Sequence, residues 1–312
     1  ALCYQQTDLA LADIFERFRK TSFDLYGLDP VYKYSLPGTS YEAMLKKTKA
    51  KIEYITDDNV GMSFMEMVEK NIRGGMSCIF QPYASANNPH VDDYNPEEDD
   101  TYIIYFDINS LYPHAMSNNL PVANYREVDL PDGPGERMTY LLDLFERYDR
   151  DFTFVRYQVL LTGHVPPELH DHFDWGVACK MAIDPEMLSP YTHFLGECFD
   201  VKYANTEHAK KGAQKIVPYL GEIKETLFDL HHLKVLMKCG FRVTALHGLW
   251  CCTAKPIMRK WMQGNSKRRA QSTSESEKNL VKLIMNSIYG KTLQNKRGMR
   301  NNTIHVDVNK FE

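Results

Sequence analysis

The stretch YFDINSLYPHAM, residues 105–116, holds the pattern on which the reading of this chain turns. Tyr102, Ile103, Ile104, Tyr105 and Phe106 lead into it and read as a buried strand. That strand delivers one carboxylate, Asp107, and turns at once into Asn-Ser-Leu-Tyr-Pro. A strand end is rigid, and Mg²⁺ demands hard oxygen ligands in near-octahedral geometry, so a carboxylate placed there suits metal binding. Backbone N–H groups of the turn can face a triphosphate. Tyr112 would then floor a sugar. Pro113, with fixed φ and no N–H, fits the first turn of a helix. The same residues also fit a plain strand-to-helix corner with a capping aspartate, and a bare motif leaves both readings open.

A second stretch, KNLVKLIMNSIYGKT at 278–292, reads as a helix. Steps of four, four and three put Lys278, Lys282, Asn286 and Tyr289 near one face. Two cations one turn apart can hold triphosphate oxygens, and the amide and ring can meet sugar and base. Gly290 would let a backbone or base pair come close. The competing reading is an amphipathic helix with a solvated basic face. Asn286 and Gly290 speak against it, because neither favours a helix interior.

The surroundings set bounds. With 312 residues, 43% hydrophobic and 25% charged, the chain is ordinary for a soluble globular protein of about two domains. No apolar run reaches membrane-spanning length. No membrane partner is therefore expected. No basic leader precedes the helical opening, which lacks an initiator Met, so the chain reads as a fragment. Seven cysteines without a CxxC pair read as reduced thiols. Net charge is −4, which argues against nucleic acid until its distribution is seen. Residues 255–300 carry 12 Lys/Arg against 2 Asp/Glu. A basic stripe on an acidic body can hold phosphates in a defined place.

Outward from the two motifs, residues 1–30 have helical spacing. Residues 35–48 read as a Pro-Gly turn and then a helix capped near Ser40, and 64–83 as a helix, a Gly-Gly break and a strand. The acidic run 90–100 reads as an exposed loop. Small strands and turns are expected over 120–220, a helix over 221–239 ending at Gly240, a strand over 241–253, and helices over 256–271 and 276–291.

DINSLYP (107–113) and KLIMNSIYG (282–290) are similar to motifs A and B of family B DNA polymerases, in the right order. NIRGGMS (71–77) resembles the family's Tyr-x-Gly-Gly motif, with Ile72 where that motif has Tyr. YQQTD (4–8) resembles the third exonuclease motif, Tyr-x-x-x-Asp, on Tyr4 and Asp8. Further stretches, among them LPGTSYEAMLKKT, PPELHDHF, DPEMLSPY, RVTALHGLW and YGKTLQNKR, resemble polymerases of the Polinton, adintovirus and adenovirus-like kind, whose members are typically primed by a protein.

The resemblance implies an α+β fragment of the right-hand polymerase fold: the end of an exonuclease domain, a palm with an antiparallel sheet, and helical fingers. The implied division is 1–30 exonuclease end, 31–121 linker and first palm part, 122–220 an insertion resembling the terminal-protein region, 221–255 palm, 256–300 fingers, and 301–312 a return to the palm. The implied reaction is template-directed deoxynucleotidyl transfer with two Mg²⁺ ions. Partners would be template and primer DNA, a deoxynucleoside triphosphate and a terminal protein primer. Asp107 would hold both ions, with the main chain of Ile108, Ser110 and Leu111 helping to bind metal and triphosphate. Tyr112 would be the steric gate against a 2′-hydroxyl. Lys282 and Asn286 would grip the triphosphate with Lys278 in support, and Tyr289 would pack on the nascent base pair. Arg73 with Gly74 and Gly75 would hold template phosphates, Gly290 would sit against DNA, and Lys267, Arg268 and Arg269 would be further phosphate contacts.

The family's motif C, Tyr-x-Asp-Thr-Asp, follows motif B and supplies the second aspartate. It does not occur before Glu312, so this chain is expected to be inactive alone. Two alternatives stand beside this reading. One is a non-catalytic DNA-binding remnant of a transposon polymerase. The other is a zinc module built from His164, His170, His172 and Cys179, whose spacing matches no common zinc pattern.

Overall fold

The computed structural model describes residues 2–80, 83–150, 154–173, 176–182, 189–198 and 214–294. The basic residues Lys296, Arg297 and Arg300, and the segment 301–312, lie outside them. In chain order the elements are α1 (Leu2–Tyr26), α2 (Leu36–Thr48), α3 (Gly61–Asn71), α4 (Leu111–Met116), β1 (Leu120–Glu127) and α5 (Pro134–Arg150). There follow β2 (Val155–His164), β3 (Val177–Ala182), α6 (Pro190–Cys198), β4 (Gln214–Tyr219) and β5 (Ile223–Asp229). The last are α7 (Leu230–Lys238), β6 (Arg242–Lys255), α8 (Arg259–Gln271) and α9 (Glu275–Thr292). The fold is mixed α+β with antiparallel sheets, as the sequence led us to expect. No helix among the described residues is long and apolar enough to cross a membrane.

Two compact units form. One takes residues 1–51, 108–120 and 255–312, and its described residues are mainly helical. The other takes 52–107 and 121–254, and holds both sheets.

In the helical unit, α9 buries Val281, Ile284, Met285 and Ile288, a stripe at helical spacing. It packs with Ala43 and Met44 of α2, Met116 of α4, and Trp261 and Met262 of α8. Helix α2 begins at Leu36, four residues earlier than expected. Ser35 is the cap, its Oγ accepting from the Gly38 N–H, and Pro37 lies in the first turn where a missing N–H costs nothing. Helix α1 is held near its end by Arg19, which grips Asp29, and by Tyr26, whose hydroxyl donates to Asn265 at 2.9 Å.

In the other unit, the four-stranded sheet runs β1-β6-β2-β5, and β3 pairs with β4 alone. Strand β2 is antiparallel to both neighbours. Adjacent strand residues serve opposite faces. Phe228 and Leu249 join the core under α5 and α7, while Leu227 and Trp250 pack with Phe64 of α3. Helix α5 brings Leu141, Leu144, Phe145 and Tyr148 to that core.

Three expectations over this unit need correction. Residues 120–220 hold the 17-residue α5 as well as strands. Its helical stripe is plain, but it starts inside LPDGPGE, which hides its start; Pro134 is tolerated as the first helical residue. The segment 221–239 is not one helix. It is β5 followed by α7, with Asp229 as the joint: its carboxylate caps the His231 N–H. Gly240 does end α7, at φ 108°, and a Cβ there would meet Leu169 at 2.5 Å.

The third correction concerns 101–107. The segment forms no ladder, and Tyr102, Ile103, Ile104, Tyr105 and Phe106 are exposed. A strand is stabilised by a partner, and among the described residues none pairs with this one. Its start is tied through Thr101, whose N–H donates to the Asn87 carbonyl and whose carbonyl accepts from the Asn88 amide. Residues 72–80 likewise form no strand, so the strand expected after the Gly-Gly break is absent there.

Candidate functional site

The burial of one stripe of α9 fixes the rotation of the rest. Ser287 Oγ donates to Ser40 Oγ at 3.0 Å, and Ser40 is 1% exposed, so the helix is pinned to α2 by a polar as well as an apolar contact. Lys282 and Asn286 consequently stand in solvent, and neither makes a hydrogen bond or ion pair among the described residues. Lys278, one turn earlier, is half-buried and donates to Glu275 Oε1 at 2.7 Å. That ammonium holds the Glu275 carboxyl below its ordinary pKa. Tyr289 lies two turns beyond Lys282 on the same face.

Tyr289 meets Tyr112. The ring centroids are 4.8 Å apart with planes at 51°. Helix α4 is short, and Pro113 and Met116 bury themselves while Ser110, Leu111 and Tyr112 stay exposed. Ser110 is left-handed, at φ 58° and ψ 37°, and its side chain caps nothing. A non-glycine residue in that region costs about 1 kcal/mol or more. Gly290 follows Tyr289 in the open, with no atom within 4 Å of where a Cβ would stand. Five residues expected from two distant motifs, Tyr112, Lys278, Lys282, Asn286 and Tyr289, thus belong to one unit and one packed pair of helices.

Asp107 ends the first of the two segments of the other unit, and is exposed and without a hydrogen bond among the described residues. Ile108 is 68% exposed. Among the described residues no three His, Cys, Asp or Glu side chains gather to hold a metal. One carboxylate and one neighbouring carbonyl do not make a two-ion clamp by themselves.

Of the basic residues, Lys267 is exposed, while Arg268 and Arg269 are half-buried. The Arg268 guanidinium lies 5.8 Å over the ring of Tyr26. Asp8 is exposed on α1, where Tyr4 also lies.

Arg73 departs from the expected phosphate contact. Its Nη1 donates to the Ala178 carbonyl at 3.1 Å and its Nη2 to the Leu227 carbonyl at 2.5 Å. Its guanidinium sits 4.5 Å from the Phe228 ring centroid. Burial lowers its pKa from the ordinary arginine value. A side chain spent in this way is turned inward. Gly74 and Gly75 beside it are exposed. Sequence reasoning missed Asn71, whose Oδ1 accepts from the Leu227 N–H at 3.0 Å. Its only signal was its place two residues before Arg73.

The zinc alternative gains nothing. His170 is engaged with the Val165 carbonyl at 2.9 Å. Cys179 lies in the core, where burial pushes its thiol pKa up.

Residues 177–306 match the family described as DNA polymerase type B, organellar and viral. The matched span contains the second of the two motifs, 282–290, and not the first, 107–113. No curated protein matches the chain. Among solved structures it is similar to phi29 DNA polymerase complexed with primer-template DNA, at 16% identity and TM-score 0.45, over 88% of this chain and 37% of that one. It is also similar to the ternary complex of phi29 DNA polymerase with primer-template DNA and incoming nucleotide substrates, at 14% identity and TM-score 0.43, over 83% and 36%. The chain therefore spans little more than a third of the length of the polymerases it matches.

Proposed function

We propose that this chain is part of a DNA-directed DNA polymerase of the type B viral or mobile-element kind, primed by a protein. The observation that carries the proposal is the contact of Tyr112 with Tyr289, beside the unengaged Lys282 and Asn286. Both tyrosines and both polar residues come from the stretches that resemble motifs A and B, and the family match over 177–306 supports the second of them.

In this reading a deoxynucleoside triphosphate lies along α9. Lys282 and Asn286 hold its phosphates, and Lys278 adds charge from the preceding turn. Tyr112 closes the space beside the 2′ carbon. Tyr289 packs on the new base pair, and Gly290 leaves room for it. The primer 3′-hydroxyl attacks the α-phosphate and pyrophosphate leaves. Positioning and charge stabilisation supply most of the catalysis in such transfers. Two Mg²⁺ ions, when bound in the whole enzyme, would neutralise the developing charge. Asp107 and the Ile108 carbonyl are the ligands this chain would contribute. The domain division from exonuclease end to fingers belongs to the same proposal, as do template, primer and terminal protein as partners.

The test is primer extension by the full-length protein with Mg²⁺ and deoxynucleotides. Template-directed extension is expected. Binding of primer–template without extension would favour the non-catalytic remnant instead.

A further inference from the structure

Four interactions converge on the segment that leaves α3. The Lys70 carbonyl accepts from Lys180 Nζ at 3.0 Å. Asn71 takes the Leu227 N–H, Arg73 takes the Leu227 carbonyl, and Arg73 also takes the Ala178 carbonyl. Their targets share one property. Among the described residues, strand β5 is the outer strand of its sheet and β3 belongs to a two-stranded sheet, so each has an edge that no strand pairs. Such edges invite pairing and must be satisfied. Asn71 and Arg73 satisfy both groups of Leu227, as a neighbouring strand would. Arg73 reaches β3 with its other nitrogen. The planar, always-charged guanidinium can serve two carbonyls at once, and the Phe228 ring beneath it fixes its plane.

We propose that Arg73 is a positioning residue. It stitches the open edge of β5 to the open edge of β3 and so fixes where Gly74 and Gly75 emerge. The exposed Gly-Gly backbone, and not the Arg73 charge, is what this segment offers to template DNA. The DNA half of this inference rests on the polymerase reading above; the stitch itself does not.

The two roles for Arg73 separate cleanly by substitution in the full-length protein. A phosphate contact survives Arg73→Lys, because Lys keeps the charge, and its loss in Arg73→Met lowers the salt slope of DNA affinity by about 0.9. A stitch survives neither change, because an ammonium is a point donor that cannot hold two carbonyls in a plane. Expected results are a loss of primer–template affinity of about tenfold in both variants, with the salt slope unchanged. Amide hydrogen exchange at residues 72–76 should rise in both. A reduced slope in Arg73→Met that Lys restores would overturn the proposal. So would faster exchange with unchanged affinity, since the stitch would then matter only to stability. Unchanged exchange in both variants removes the stitch outright. If wild type fails to bind primer–template, the polymerase reading and the DNA half fall together, and exchange still decides the stitch.

Discussion

Tyr112 and Tyr289, from opposite ends of the sequence pattern, stand ring to ring with centroids 4.8 Å apart. The contact is tilted, with a centroid separation in the range of interacting aromatic pairs, which contribute about 0.5–1.5 kcal/mol beyond burial. It ties the turn after Asp107 to the last turns of α9 within one unit. A triphosphate held along α9 would have its sugar end at this pair.

Tyr112→Ala should therefore admit ribonucleotides. A ring that merely fills space beside the 2′ carbon discriminates by about ten- to a hundredfold, the range of a steric pocket that excludes one small group. The check is the ratio of kcat/KM for deoxy- and ribonucleotides in the full-length enzyme. Tyr289→Ala should erode the same ratio in part, by loosening Tyr112. Unchanged sugar selectivity in Tyr112→Ala would remove it as the gate.

Lys282 and Lys278 should not behave alike, although sequence spacing treats them as a pair. Lys282 has no partner among the described residues, whereas Lys278 is bound to Glu275. Lys282→Ala should raise the apparent nucleotide KM by about tenfold, as loss of a charge-assisted phosphate contact does. Lys278→Ala should raise it less, since the exposed Glu275 already screens part of that charge. Equal effects would mean the ion pair opens when nucleotide binds. A normal KM in Lys282→Ala would take it out of the triphosphate site.

What could be read from the sequence was what is local. The face of α9 follows from residue spacing, and so do the helical start at α1, the strand β6 and the α8–α9 pair. Pro113 and Gly240 were legible because each imposes a backbone rule. The strand expected at 101–107 was read from composition alone, and composition cannot supply a ladder partner. The 221–239 segment failed for a related reason: β5 owes its state to β2, and only the cap at Asp229 marks the change. Arg73 was expected, with Gly74 and Gly75, to hold template phosphates. Its true partners, the Ala178 and Leu227 carbonyls, are main-chain groups, which no side-chain pattern announces. The Ser40–Ser287 bond was hidden for another reason: it joins two side chains 247 residues apart in sequence.

Asp107→Ala should abolish extension in the full-length enzyme while leaving primer–template affinity within about twofold, because a metal ligand acts on the transferring phosphoryl group and not on the duplex. Asp107→Asn keeps the shape and removes the charge, and should fail equally. Extension assays and anisotropy on the same samples separate the two quantities. Substantial incorporation by either variant would sink the metal role of Asp107.

The rotation of α9 is the quantity on which Lys282, Asn286 and Tyr289 all depend, and it is set by the buried stripe. Met285 is 1% exposed within that stripe, and Leu283 beside it is 57% exposed. Met285→Ala should destabilise the packing by about 2–5 kcal/mol, the usual cost of emptying a core site. Leu283→Ala should stay within about 0.5 kcal/mol. Two units make a single unfolding midpoint ambiguous, so hydrogen exchange of the α9 amides is the better measure. Ser287→Ala should lose about 1 kcal/mol through the Ser40 contact. Met285→Ala and Ser287→Ala should also raise the nucleotide KM, although neither residue would touch the nucleotide. Loss of α9 protection with an unchanged KM would mean that the rotation of this helix is not what positions Lys282.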